Sequence, residues 1–164
     1  MMTSHEFHAL IRDDMTRAGF VKQGRRWLMR TGEILWLVQL DRSPYKDRFS
    51  LDIGAVLADA PTDSVPAKPS DGQILMHLEN LPLVAPREIP DARFTDFRSA
   101  VLIGFDLTYD IEDQERTKLI AAIIDAFSGY IGKINSRQEL RMRYQAGDLE
   151  SAFIRKDMRQ LLAL

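Results

Sequence analysis

The 164-residue sequence contains no cysteine. That excludes a disulfide framework, a thiol nucleophile and a thiolate zinc site. Histidine is scarce, with three residues in the chain, while a zinc ion asks for three or four protein ligands. No apolar run approaches the roughly 20 residues of a membrane-spanning helix. The opening stretch MMTSHEFHALIRDD lacks a basic start followed by a long apolar run. No secretory signal and no membrane partner are therefore expected, and the cytoplasm is the expected location. There is no P-loop, no G-x-G-x-x-G and no G-x-S-x-G elbow, so the common nucleotide-binding and hydrolase motifs are missing.

What is present is ordinary for a globular chain: 45% hydrophobic and 28% charged residues. The length fits one domain over 1–164, able to bury about two-thirds of its unfolded surface. Net charge is −2, but it is unevenly spread. Residues 17–32 carry five bases and no acid; residues 59–115 carry twelve acids against four bases; residues 133–164 carry seven bases against four acids. Blocks of this kind usually form solvated faces, and they can also steer a charged partner.

Thr3 and Glu6 form a T-x-x-E capping box ahead of Phe7, Leu10, Ile11, Met15 and Ala18 at helical spacing. Gly19 ends that helix, which is expected over 4–18. Residues 26–30 and 33–40 read as strands around a Thr31-Gly32 turn. Both faces of the second are apolar, as in a strand covered on both sides. Residues 48–57 alternate, with Phe49, Leu51, Ile53, Ala55 and Leu57 on a dry face and Asp52 and Gly54 on a wet one. Short links favour an antiparallel meander.

Residues 58–72 hold three prolines and predict a long loop. Residues 73–78 suit either strand or helix, and 81–90 read as irregular. The run SAVLIGFDL at 99–107 suits a buried strand, with a helical turn as the alternative. A helix over 112–133 follows, its apolar stripe made of Ile120, Ile123, Ile124, Phe127, Ile131 and Ile134. Ser136 and Glu139 form a second capping box, and Asp148 is expected to cap a last helix. The fold class expected is α+β. An antiparallel sheet of three to five strands packs against an N-terminal helix and a C-terminal helical segment.

The N-terminal third carries Gly19-Phe20, Gly24 and Trp27, then Gln39 through Ser43, then Phe49, Leu51 and Asp52-Ile-Gly54. This resembles the bacterial family of domain of unknown function 4304, with its "GF…G…aromatic" start, its "Q-x-S" strand end and its "N-[LI]-G" strand. The helical C-terminal pattern is similar too. The sequence departs at Asp41-Arg42, which lengthens the Gln-to-Ser segment, and at Asp52, where the family favours Asn. The resemblance implies a fold and brings no activity with it.

The polar cluster that stands out joins Gln39, Asp41 and Ser43 to Asp52 on the next strand, with Arg25, Arg26 and Arg42 as a basic rim and Trp27 as an aromatic floor. Arg26, Trp27, Gln39, Arg42, Ser43 and Asp52 are the candidate ligand-binding residues. Arginine grips carboxylate or phosphate through parallel hydrogen bonds, so a small anionic ligand fits them. The plainer reading has Gln39 and Ser43 satisfying backbone groups where a strand ends. Ser43 serves as a nucleophile only with a base close by, and His77 is the candidate. His5 and His8 lie three apart on the first helix, a spacing more often exposed surface than metal site. No catalytic residue, metal or cofactor is assigned.

Three functional readings follow. The first is a non-catalytic binding module with a protein partner. The second is a small-ligand binder or enzyme at the Gln39–Ser43/Asp52 cluster. The third is a weak nucleic-acid binder through Arg25, Arg26, Trp27 and Arg30. The acidic pI of about 5.9 counts against the third.

Overall fold

Helix α1 spans Ser4–Arg17, and the sequence specifies its start. Thr3 Oγ accepts from the Glu6 amide at 3.1 Å, and the Glu6 carboxylate accepts from the Thr3 amide at 2.7 Å. These two bonds satisfy backbone donors that a helix start leaves free. After Ala18, Gly19 adopts φ 101°, a left-handed conformation open to glycine. The chain turns there into β1 (Val21–Gln23).

Five strands follow: β2 (Arg26–Thr31), β3 (Ile34–Arg42), β4 (Phe49–Leu57), β5 (Ile74–His77) and, near the end, β6 (Phe153–Ile154). Between β5 and β6 come helices α2 (Phe97–Gly104), α3 (Asp113–Gly132) and α4 (Arg137–Gln145), and α5 (Lys156–Ala163) follows β6. The computed structural model describes residues 1–57, 65–87 and 93–163. Part of the expected loop (58–64) and of the irregular stretch (88–90) lies outside them.

The sheet is antiparallel and its spatial order equals chain order, β1 to β6. The class is α+β as expected, but among the described residues the strands number six rather than three to five. The excess comes from β1 and β6, three and two residues long. Neither is long enough to show a period-two pattern.

Register divides the sheet into two faces. On the inner face Trp27, Val38, Ile53 and Met76 form one cross-strand row, and Met29, Trp36, Ala55, Ile74 and Ile154 form the next. They share one core with Phe7, Ile11 and Met15 of α1 and with Leu119, Ile120, Ile123 and Phe127 of α3. The buried Trp36 indole donates to Thr31 Oγ at 2.7 Å, and that hydroxyl donates to the Ile134 carbonyl at 2.8 Å. A large apolar ring is thereby buried with its one polar atom satisfied.

Two expectations fail. Residues 99–107 are not a strand: α2 covers most of them, its start capped by Asp96 Oδ1 accepting from the Ser99 amide at 2.7 Å. Its C-terminal end is held by Arg116, whose buried guanidinium donates to the carbonyls of Ile103, Gly104 and Tyr109 at 2.7–3.0 Å. Nor does Asp148 cap a helix. Its carboxylate pairs with Arg143 at 3.3 Å, and the chain lays β6 beside β5, putting Ile154 into the core. Residues 73–78 settle as strand β5.

Candidate functional site

The opposite, outer face of the sheet is built differently. Leu28, Leu35, Val56 and Leu75 are half-buried there and lie outside the helix-packed core. Beside them runs a polar row. Gln23 pairs with Arg26, Arg26 with Gln39, Gln39 with Asp52, and Asp52 with His77. Each of β1 to β5 thus delivers one polar side chain to the same register line. Cross-strand partners have their Cβ atoms about 5 Å apart, so the row is continuous across the sheet.

Asp52 Oδ1 lies 2.7 Å from His77 Nδ1. The Gln39 amide donates to Asp41 Oδ1 at 2.9 Å. Burial pushes the Asp52 carboxyl above the usual carboxylate range; His77 pulls it down and the Asp41 carboxylate pushes it up, without reversing the outcome. Asp52 is therefore a carboxylate held at some cost, positioned to take a hydrogen bond or to orient an imidazole.

Residues 65–72 cross this face. Arg26 donates to the carbonyl of Pro66. A short 3-10 turn at Pro69–Asp71 sits against β4 at Gly54. A Cβ on residue 54 would stand 2.6 Å from the Pro69 carbonyl oxygen, so only glycine lets the two backbones come this close. Leu37, beside Gly54 in the register, is fully buried yet separate from the inner core. This explains the two apolar faces of β3: one packs under the helices and the other under this crossing segment.

Of the six residues picked out from sequence, the register brings Arg26, Gln39 and Asp52 together. Trp27 is on the inner face, only 4% exposed, so it is no floor for the cluster. Arg42 follows the inner-face parity, opposite Phe49, and pairs with Asp47. Ser43 sits in the β3–β4 turn, where its amide donates to the Arg48 carbonyl and its hydroxyl accepts from the Tyr45 amide at 3.3 Å. Strand spacing puts it roughly 16 Å from His77, too far for a nucleophile and its base. His77, offered by the sequence only as a base for Ser43, is the row member it missed. Its partner Asp52 precedes it by 25 residues, and the intervening prolines conceal the pairing.

Among the described residues no group of three or more His, Asp or Glu side chains converges as a metal site, and His5 and His8 gain no third ligand. No helix of the described residues is long and apolar enough to cross a membrane. A groove of about 660 Å³ lies away from the row, between residues 84–87 and the Lys118–Ala126 stretch of α3. Comparison with protein-family models, with curated proteins and with solved structures finds no match.

Proposed function

We infer that the chain is a non-catalytic binding module that holds an extended segment of a partner protein on the outer face of its sheet. One observation carries this reading: five adjacent strands each present a polar side chain on one register line, on the face that the helical core does not use. Donors Arg26 and Gln39, acceptor Asp52 and the imidazole of His77 match the alternating groups of a peptide backbone. The half-buried apolar residues Leu28, Leu35 and Leu75 on the same face match its side chains. The chain's own residues 65–72 already use the face in this way, with Arg26 on a backbone carbonyl. Kinship with the domain of unknown function 4304 family belongs to the same proposal and rests on the Gly19–Gly54 motifs.

The test is capture from an extract of the source cells on immobilised protein. Asp52→Arg and Gln39→Arg are expected to lose the bound protein, while Lys133→Glu, remote on the C-terminal side of α3, retains it. A bound set unchanged by both row substitutions sinks the reading.

A second reading has one observation behind it. The Asp52–His77 pair is the arrangement that orients an imidazole as a general base. Turnover of an ester or phosphoester that disappears in His77→Gln would establish it. A wild-type chain inert across such a panel would remove it.

A further inference from the structure

Trp27 and Arg42, which the outer row does not use, belong to another part of the molecule. There the β3–β4 hairpin meets α1. The hairpin turn frames an open surface depression of about 500 Å³ lined by Arg42, Ser43, Pro44, Tyr45, Lys46 and Asp47. Arg42 is the cross-strand partner of Phe49, and the His8 ring stands edge-on to that same Phe49, centroids 5.2 Å apart. His8 of α1 and Arg42 of β3 therefore flank one aromatic ring.

The charges here are one-sided. Lys22 of β1 sits over the Trp27 ring at 5.3 Å and, like Lys46, has no carboxylate within ion-pair distance among the described residues. The Trp27 indole N–H beneath it is buried without an acceptor. The charged neighbours acting on His8 are Lys22, Arg42 and His5, all basic. The acid of the depression is Asp47, already paired with Arg42. Glu6, the acid between His5 and His8, is committed to the Thr3 cap. Arg42 has its acid in Asp47, but Lys22 and Lys46 have none among the described residues, and that surplus leaves a positive potential that an anion relieves.

We propose that this end of the sheet binds a small phosphate-type anion, gripped by Arg42 and Lys46 at the hairpin depression and flanked by Lys22 and His8. Arginine supplies paired N–H donors for phosphate oxygens, lysine a point charge, and the Ser43 hydroxyl a further donor. This site is separate from the outer face and stands or falls without it.

The site predicts proton linkage. Burial first, and then Lys22, Arg42 and His5, hold His8 below the ordinary histidine range. A bound anion supplies the missing counter-charge and raises it. Binding then takes up a proton, and affinity increases as pH falls through that range.

The experiment is a ring-proton NMR titration of His8 in the full chain, with inorganic phosphate and with chloride at matched ionic strength. The expected result is a saturable rise in the His8 midpoint in phosphate alone. Arg42→Ala and Lys46→Ala should weaken phosphate binding at least tenfold, and melting temperature reports whether each variant still folds. Arg42→Lys, which retains the charge, should recover part of the affinity. Equal shifts in chloride and phosphate, or undiminished binding in both alanine variants, overturn the proposal. So does a response to single-stranded oligonucleotide that grows with length while inorganic phosphate gives none.

Discussion

The two faces of the sheet come from the same strands and obey different rules. On the inner face, Trp36, Val38, Ile53 and Ile74 meet two helices and lose nearly all contact with water. On the outer face, Leu28, Leu35, Val56 and Leu75 stay half-exposed, with a charged and amide-bearing row beside them. Apolar burial is the main favourable term in folding and scales with the area removed from water. The inner face therefore holds most of the fold together, and outside the patch that residues 65–72 cover at Leu37 and Gly54 the outer face can change without losing it. A surface relieved of structural duty is where recognition can be built.

The largest effect expected from breaking this contrast lies at Trp36. Trp36→Ala should cost about 3–5 kcal/mol, whereas Leu75→Ala on the outer face should cost about 1 kcal/mol, both read from urea unfolding midpoints. Similar losses at the two positions would mean that the outer face is also core.

Gly54→Ala comes next. The added methyl meets the backbone of Pro69 rather than a flexible side chain, and such overpacking costs about 1–3 kcal/mol. Amide exchange should quicken at Gly72 and Gln73, whose N–H groups bond to Pro69 and Ala55. Unchanged exchange there would show that residues 65–72 are not held through Gly54.

The smallest effects concern pH. Burial raises the Asp52 carboxyl above its ordinary 3.8. Its stabilising contribution is present below that value and lost as pH rises through the raised pKa, so Asp52→Asn should gain on the wild type as pH rises above 3.8. Asp106 behaves oppositely. Burial pushes it up, but hydrogen bonds from Thr108 and Arg48 outweigh burial and hold it below the ordinary range. Its contribution is present above 3.8 and lost as pH falls through the lowered value, so the deficit of Asp106→Asn against the wild type should shrink as pH falls below 3.8. Parallel profiles for the two variants would contradict these environments.

Much of the fold was legible where a pattern repeats. The alternation of 48–57 assigned the dry face of β4, though Gly54, expected on a wet face, is buried under Pro69, and the capping box at Thr3 and Glu6 placed α1. The paired apolar faces of β3 also pointed to double cover, though Pro69 over Gly54 as the cover is a tertiary fact. The site was legible only in part. Arg26, Gln39 and Asp52 lie on meander strands whose register the short turns fix. His77 needs the register of β5, which follows a long proline-rich stretch. Trp27 and Arg42 failed as members of the row because one residue of offset along a strand reverses the face. In SAVLIGFDL, continuous apolar residues hide the helical period, and the local clue was Asp96 three positions before Ser99.

The Thr31 hydroxyl that joins Trp36 to Ile134 also has a consequence in time. The β2–β3 turn closes across two residues, but its fixing contacts, including the Arg137 amide donating to Glu33 and the Glu33 amide donating to Asn135, come from about a hundred positions further on. Closing so long a loop is slow and entropically costly. The hairpin can form early, yet it frays until the end of α3 docks. During synthesis, the chain through the end of α3 has left the ribosome before the β2–β3 turn finds its anchor.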